Sequence, residues 1–273
     1  MERNLSSYTV VIPVLNQLHY TRQCLESLTE SGTSKDAILV INNSSTDGTG
    51  EWLEHNGYRH IDNTVNLGCG GALTQGALAE DTEWLFFLNN DVVVCKDFFQ
   101  RLIDSAVQHK LDLVCPAMVE VELDYNFEEF SAKAVTSLRS IVRNGAANGV
   151  CILVLKSLFY EVGFFDTDKL LGGHEDSEFI IRIKRQGFKA GTTGYAFLHL
   201  FGSVSQKAMA LEAGVSKHGD HLYFYRKMGM GWFARKMYRR TKRRLLRKCA
   251  TAELKARGLT LHMERREGAW VYL

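Results

Sequence analysis

Proline is nearly missing from this chain: 273 residues contain two, Pro13 and Pro116. No proline-rich or low-complexity linker divides the sequence, so its regular elements can follow one another through short connections. Paired cysteines are missing too. The six cysteines, at 24, 69, 95, 115, 151 and 249, form no Cys-x-x-Cys motif and several sit inside apolar runs. They read as reduced core residues, which excludes a disulfide framework and a thiolate zinc site. No apolar run approaches the roughly 20 residues that cross a bilayer, and the N-terminus lacks the basic-then-apolar order of a secretion signal. The expectation is a cytoplasmic protein.

Acidic residues are absent from one stretch. Arg226 to Lys248 holds 11 basic residues and no Asp or Glu; the whole chain is +2, so everything outside that stretch sums to −9. Such a segregated charge marks a separate functional unit. We divide the chain into a main domain, 1–218, and a basic helical extension, 219–273.

What is present is a hydrophobic content of 45%, ample for a buried core. Apolar runs at 8–14, 37–42, 83–89 and 111–117 alternate with helix-like periodicity over 18–28, 70–80 and 97–108, and a further helix is expected near 132–142. Strand and helix in alternation predict an α/β fold with a mostly parallel, Rossmann-like central sheet flanked by helices. The near-continuous apolar strands agree, because both faces of such a sheet are covered. In open α/β sheets ligands bind beyond the carboxyl ends of the strands. The polar residues fall at those ends: Asn16 after the first, Asn42 and Asn43 after the second, and Asn89, Asn90 and Asp91 after the third in "LFFLNNDVVV". A carboxylate in so apolar a run needs a cation or hydrogen bonds to replace its water.

Glycines at 68, 70 and 71 in "NLGCGGAL" offer close backbone approach to a nucleotide. Position 73 is leucine, so the Gly-x-Gly-x-x-Gly fingerprint of a dinucleotide site is not met. Glu175 and Asp176 stand at the start of a helix whose apolar positions are Phe179, Ile180 and Ile183, where the helix dipole favours carboxylates by roughly 0.3–1 kcal/mol.

Taken in order, "VVIPVLNQ", "VINNSSTDGTG", "NLGCGGAL", "FFLNNDVVV" and "GGHEDSEFIIRIKRQGF" resemble the family 2 inverting glycosyltransferases of GT-A fold, in particular the rhamnosyl- and glucosyltransferase-like members that build bacterial surface polysaccharide. The likeness runs from about Tyr8 to about Ser205. It implies a nucleotide-sugar donor, a UDP- or dTDP-sugar, held by Pro13, Val14, Asn16, Asn42, Asn43, Asp47, Asn66, Gly68, Asn89 and Asn90. Position 42 departs from the family, which has aspartate there to accept the base N–H; an asparagine carbonyl can still accept. Asn89 to Asp91 occupies the place of an Asp-x-Asp motif whose first carboxylate is missing. The family resemblance makes Asp91 and His199 the ligands of a divalent metal ion, Mn²⁺ or Mg²⁺, and an imidazole ligand favours Mn²⁺. It makes Asp176 the catalytic base, with Glu175 orienting it or the acceptor, a glycan or lipid-linked glycan hydroxyl. Two other readings stand beside this one: a nucleotidyltransferase on a similar sheet, and a non-catalytic nucleotide-sugar binder.

The basic stretch 226–248 also carries Trp232, Phe233, Met237, Tyr238, Leu245 and Leu246. It fits an amphipathic helix on an anionic membrane surface, at the inner face of the cell membrane, or a solvated helix packed on the main domain. Nucleic acid is not an expected partner, since the rest of the chain is acidic and no recognition motif accompanies the stretch.

Overall fold

Strand β1 (Tyr8–Val14) lies inside the sheet, parallel to β2 (Ile38–Asn42) on one side and to β4 (Trp84–Leu88) on the other. The computed structural model describes residues 7–202 and 221–273. Crossover helices α1 (Leu18–Glu30), α2 (Thr49–His55) and α3 (Cys69–Ala79) separate β1, β2, β3 (His60–Asp62) and β4. Alternate residues of β1 serve opposite faces: Val10 and Ile12 join one apolar cluster, and Val11 joins the other. That two-sided burial is why these strands read as unbroken apolar runs.

Helix α4 (Phe98–His109) leads into β6 (Leu113–Val121), and β8 (Cys151–Leu155) is inserted antiparallel between β4 and β6. Strand β9 (Ala190–Leu200) runs parallel to β6 and takes the short strands β5 (Val92–Val94) and β7 (Val142–Asn144) antiparallel on its other edge. The β6–β9 register breaks between Pro116 and Ala117, where Thr193 and then Phe197 are the successive partners. Proline has no N–H for the ladder, so the break falls where a bond could not form. Among the described residues, seven of the 11 strands run in one direction, so the α/β sheet is mostly parallel as expected.

The helix expected near 132–142 begins earlier. Helix α5 (Phe127–Leu138) starts after Asn126, whose Oδ1 accepts the Glu129 N–H at 3.1 Å, and Val142 already belongs to β7. An asparagine cap of this kind sets a helix start ahead of its apolar periodicity. Helices α6 (Leu158–Val162) and α7 (Glu175–Arg185) complete the main domain.

The expected boundary at 218/219 lies outside the described residues. Beyond it come α8 (His221–Lys227) and the 26-residue α9 (Trp232–Arg257), which contains the basic stretch from Trp232 onward. The chain then returns to the main sheet as a hairpin, β10 (His262–Arg266) and β11 (Ala269–Tyr272), with β10 parallel to the end of β6. Arg143 of β7 pairs with Glu253 of α9 through Nε–Oε1 at 2.6 Å and Nη2–Oε2 at 2.7 Å, both side chains 6% exposed. No helix among the described residues is long and apolar enough to cross a membrane.

Candidate active site

The turn after β1 and the loop after β2 are sewn together by side chains. Asn16 and Gln17 take left-handed backbone, and the Asn16 N–H donates to Ser45 Oγ at 2.8 Å while Asn16 Oδ1 accepts the Thr46 N–H at 2.8 Å. Asp47 accepts the Leu18 N–H at 2.8 Å through one oxygen and the Thr49 N–H at 3.2 Å through the other. It thereby satisfies the first turns of both α1 and α2. Pro13 and Val14 are the last residues of β1, within the expected apolar run 8–14, opposite Ile41 and Asn42. Pairing with β4 ends at Val11, so β1 has a single neighbour at Pro13, and the missing N–H is tolerated there. Val14 is buried and Pro13 half-buried.

Asn43 is a scaffold residue. Its Oδ1 accepts the Leu67 N–H at 2.8 Å and its Nδ2 donates to Asn66 Oδ1 at 2.8 Å, fixing the loop that carries Asn66 and Gly68. Asn66 Oδ1 also accepts the Gly68 N–H at 2.8 Å, and Gly68 has φ +79°. Lys169 reaches across from the other side of the cleft and donates to the Asn66 carbonyl at 2.6 Å. Asn42 donates from Nδ2 to Asp62 Oδ1 at 2.6 Å. Sequence reasoning passed over Asp62, although it is the register partner of Asn42 on the neighbouring strand. Gly70 is filled by protein rather than left for a nucleotide: a Cβ there would stand 2.0 Å from the Asp166 carbonyl oxygen and 3.2 Å from Glu175 Cγ. The start of α3 therefore packs directly on the loop and helix that carry the acidic pair.

Past β4 the chain passes through Asn89, Asn90 and Asp91 into β5. Asn90 turns inward, 3% exposed, and donates to Thr21 Oγ1 of α1 at 2.9 Å. The Asn89 N–H donates to the Val150 carbonyl at 3.0 Å. Asp91 is 2% exposed and its carbonyl accepts the Phe201 N–H at 3.0 Å, which ties it to the end of β9. His199 of β9 stands opposite Val93. It is fully buried, its Nδ1 lies 3.0 Å from the Tyr125 hydroxyl, and its Nε2 has no hydrogen-bond partner among the described residues. Burial pushes its pKa down to about 4, against the weaker pull of Asp124 and Glu120, so the ring is neutral at pH 7. A neutral imidazole with one nitrogen oriented by a hydroxyl and the other bare has the chemistry of a metal ligand. Among the described residues no three His, Cys, Asp or Glu side chains form a cation cage. A hard divalent ion bound mainly by substrate phosphates and water needs no more than one or two protein ligands.

Helix α7 opens with Glu175 and Asp176. Burial raises the pKa of both; Glu175 is 5% exposed, with the like charges of Asp176 and Asp166 adding to its rise. Asp176 is half-buried, and the cationic Lys242 of α9 opposes its rise. A Cβ on Gly149 would meet Asp176 Oδ2 at 2.0 Å, so the carboxylate rests on the backbone just before β8. The next residue, Val150, is the one bonded by Asn89. The segment bearing Asp91 and the carboxylate of Asp176 thus border adjacent residues, Val150 and Gly149, just before β8. Gly149 was assigned no chemistry from sequence, and the extension was read as a membrane-surface or packed helix; in the structure Gly149 meets Asp176, and α8 of the extension meets Asp166 and Asp168. Lys227 of α8 bonds Asp166 Oδ2 at 2.7 Å and Asp168 Oδ2 at 2.8 Å, and Phe224 and Met228 pack with Leu171 and Ile181.

Residues 9–153, more than half of the chain, match the model of the glycosyl transferase family 2. The chain belongs to that family. The match takes in the polar motifs after β1, β2, β3 and β4, ends inside β8 and stops short of Asp176 and His199. Among curated relatives of this family 2 chain, the uncharacterized glycosyltransferase EpsJ of Bacillus subtilis is 27% identical over 110 residues, covering 39% of this chain and 32% of EpsJ. The poly-beta-1,6-N-acetyl-D-glucosamine synthase of Staphylococcus aureus is 27% identical over 182 residues, covering 61% of this chain and 43% of the synthase. The chain thus spans less than half the length of either. The solved structure of GalNAc-T7 with UDP, GalNAc and Mn²⁺ superposes with a TM-score of 0.57 at 16% identity, over 73% of this chain and 44% of that one. The fold is GT-A.

Proposed function

We propose that this family 2 chain moves a sugar from a nucleotide-diphosphate donor, a UDP- or dTDP-sugar, to a hydroxyl of a glycan or lipid-linked glycan acceptor, with inversion at the anomeric carbon. One observation carries the reading: Asp176, raised in pKa by burial, rests on Gly149 beside the Asn89–Asp91 segment. A base whose pKa is lifted toward neutrality removes a hydroxyl proton more effectively than an ordinary solvated carboxylate. Asp176 takes the acceptor proton as the new C–O bond forms, and buried Glu175 behind it keeps the pocket electronegative. The Asn66–Gly68 loop, locked by Asn43 and Lys169, lines the donor side. Asp91 and His199 would hold a Mn²⁺ or Mg²⁺ ion, which when bound supplies charge neutralisation for the departing diphosphate. The Mn²⁺ in the GalNAc-T7 structure and the polysaccharide-building S. aureus relative support the donor, metal and product classes.

The acceptor side is bounded by Asp166, Asp168 and the extension. Lys242 of α9 acts electrostatically on Asp176. A membrane-apposed α9 would therefore bring a lipid-linked acceptor to the base, and the localisation that follows is peripheral, on an anionic bilayer face.

The test is Asp176→Asn assayed for donor binding and for transfer. Binding of a UDP- or dTDP-sugar in the presence of Mn²⁺, seen by thermal shift, should persist, while turnover falls by a factor on the order of 10²–10⁴, the usual contribution of a positioned base. Full turnover in that variant would remove Asp176 from its role, and a protein stabilised by no nucleotide sugar would remove the donor.

A further inference from the structure

The pairing of Asn42 with Asp62 points to a specific way of reading the donor base. This rests on the donor site proposed above. Asn42 is 5% exposed at the end of β2, and both of its polar atoms are committed in opposite senses: Oδ1 accepts the Ser45 N–H at 3.2 Å, and Nδ2 donates to Asp62 Oδ1 at 2.6 Å. The amide orientation is therefore set, and the atom turned toward β3 is a donor. A base N–H approaching that atom would meet another N–H.

The missing acceptor is one strand over. Asp62 lies beside Asn42 in the parallel β2–β3 ladder, at the carboxyl end of its strand, with its side chain 57% exposed. Its Oδ1 holds the Asn42 amide. Its Oδ2 stands 3.4 Å from His60 Nε2, which also lies 3.8 Å from Glu54 Oε2, while His60 Nδ1 is 2.9 Å from the Tyr58 carbonyl. Gly50 gives a second sign that the pair is built. A Cβ there would lie 3.0 Å from Asn42 Nδ2 and 3.1 Å from Asp62 Oδ1, so α2 crosses the pair at a residue without a side chain.

We infer that Asp62, positioned by Asn42, is the group that accepts the ring N–H of the donor base, and that the acceptor carboxylate has moved from β2 to β3 in this chain. The ligand class is a nucleoside diphosphate whose base presents a ring N–H beside a carbonyl, as uracil, thymine and guanine do.

Calorimetric titration with UDP, dTDP, GDP and CDP in the presence of Mn²⁺ tests this. The wild type should bind at least one of the first three more tightly than CDP. Asp62→Ala, which removes the acceptor, should weaken those with a ring N–H about tenfold to a hundredfold, the worth of one hydrogen bond to a charged group, and leave CDP nearly unaffected. A merely structural role would weaken all four alike, and that result overturns the inference. The exchange variant Asn42→Asp/Asp62→Asn keeps one amide and one carboxylate in contact; recovery of most of the lost affinity supports the assignment. Unchanged UDP affinity in Asp62→Ala overturns it. A wild type that binds none of the four nucleotides instead overturns the donor site itself.

Discussion

The carboxylate of Asp176 rests on the Cα of Gly149, so close that a Cβ at position 149 would lie 2.0 Å from Oδ2. Gly149→Ala must push the carboxylate aside, because the chain before β8 is held by the Asn89–Val150 hydrogen bond. The neighbour displaced is the end of a short side chain, so the fold should lose no more than about 1–2 kcal/mol. A displacement of about 1 Å at the base is worth on the order of 10²-fold in rate. The expected outcome is a kcat lowered by about that factor with donor affinity unchanged, measured by steady-state kinetics and nucleotide titration.

Asp176 and Glu175 both have raised pKa values, which fixes the sign of a stability effect. A carboxylic acid held more tightly protonated in the folded chain than in the unfolded one favours folding at low pH. That advantage is lost as pH rises through the ordinary carboxylate range toward the raised value. Above that range the raised pKa values count against the fold. Asp176→Asn and Glu175→Gln should each raise Tm by a few degrees at pH 7, with the gain shrinking toward pH 4. Activity in the wild type should fall as pH drops through the raised carboxyl pKa, because the base must be ionised. Thermal melts and pH–rate profiles on the same preparations check both signs.

Arg143 and Glu253 are each 6% exposed and bonded through two contacts, and Glu253 Oε2 also accepts the Leu261 N–H at 2.9 Å. Removing one partner leaves a buried charge and an unsatisfied amide. Glu253→Ala should cost about 3–5 kcal/mol in urea denaturation, whereas Arg143→Met with Glu253→Leu should cost much less. Since β10 follows this anchor, hydrogen exchange in 262–272 should quicken in the single variant.

Along α9, Phe233, Met237 and Leu245 share a four-residue spacing and are 70%, 46% and 49% exposed, with Lys236, Arg240, Arg244 and Lys248 on the adjoining ridge. Trp232, 65% exposed, begins the helix. Apolar side chains flanked by cations fit the headgroup region of an anionic bilayer, where each basic residue contributes about 1 kcal/mol. The chain should cosediment with vesicles of phosphatidylcholine and phosphatidylglycerol but not with phosphatidylcholine alone. Phe233→Ala/Met237→Ala and Arg240→Glu/Arg244→Glu should each abolish that binding, and equal binding to neutral vesicles would contradict the electrostatic part.

Local sequence was sufficient for strands β1, β2, β4 and β6, because strands buried on both faces must be apolar throughout. It also marked Asn42 and Asp91 as polar positions at strand ends and Glu175 and Asp176 as the opening of a helix, since such residues stand out against the apolar background. It could not reveal β10 and β11. "HMERR" is mostly polar and "AWVY" is only four residues long, on either side of a Glu267–Gly268 turn, and only the pairing of β10 with β6 and of β11 with β10 makes them sheet. Nor could it separate Asn43 and Asn90, which hold loops and helices together, from residues open to a ligand, because an amide reads the same in either role. The contacts of Asp176 with Gly149, of Asn42 with Asp62 and of Lys227 with Asp166 join positions 20 to 61 residues apart. Nearest-neighbour pattern carries no record of such contacts; they exist once the strands are ordered side by side, and that ordering is what decides which carboxylates meet which partners.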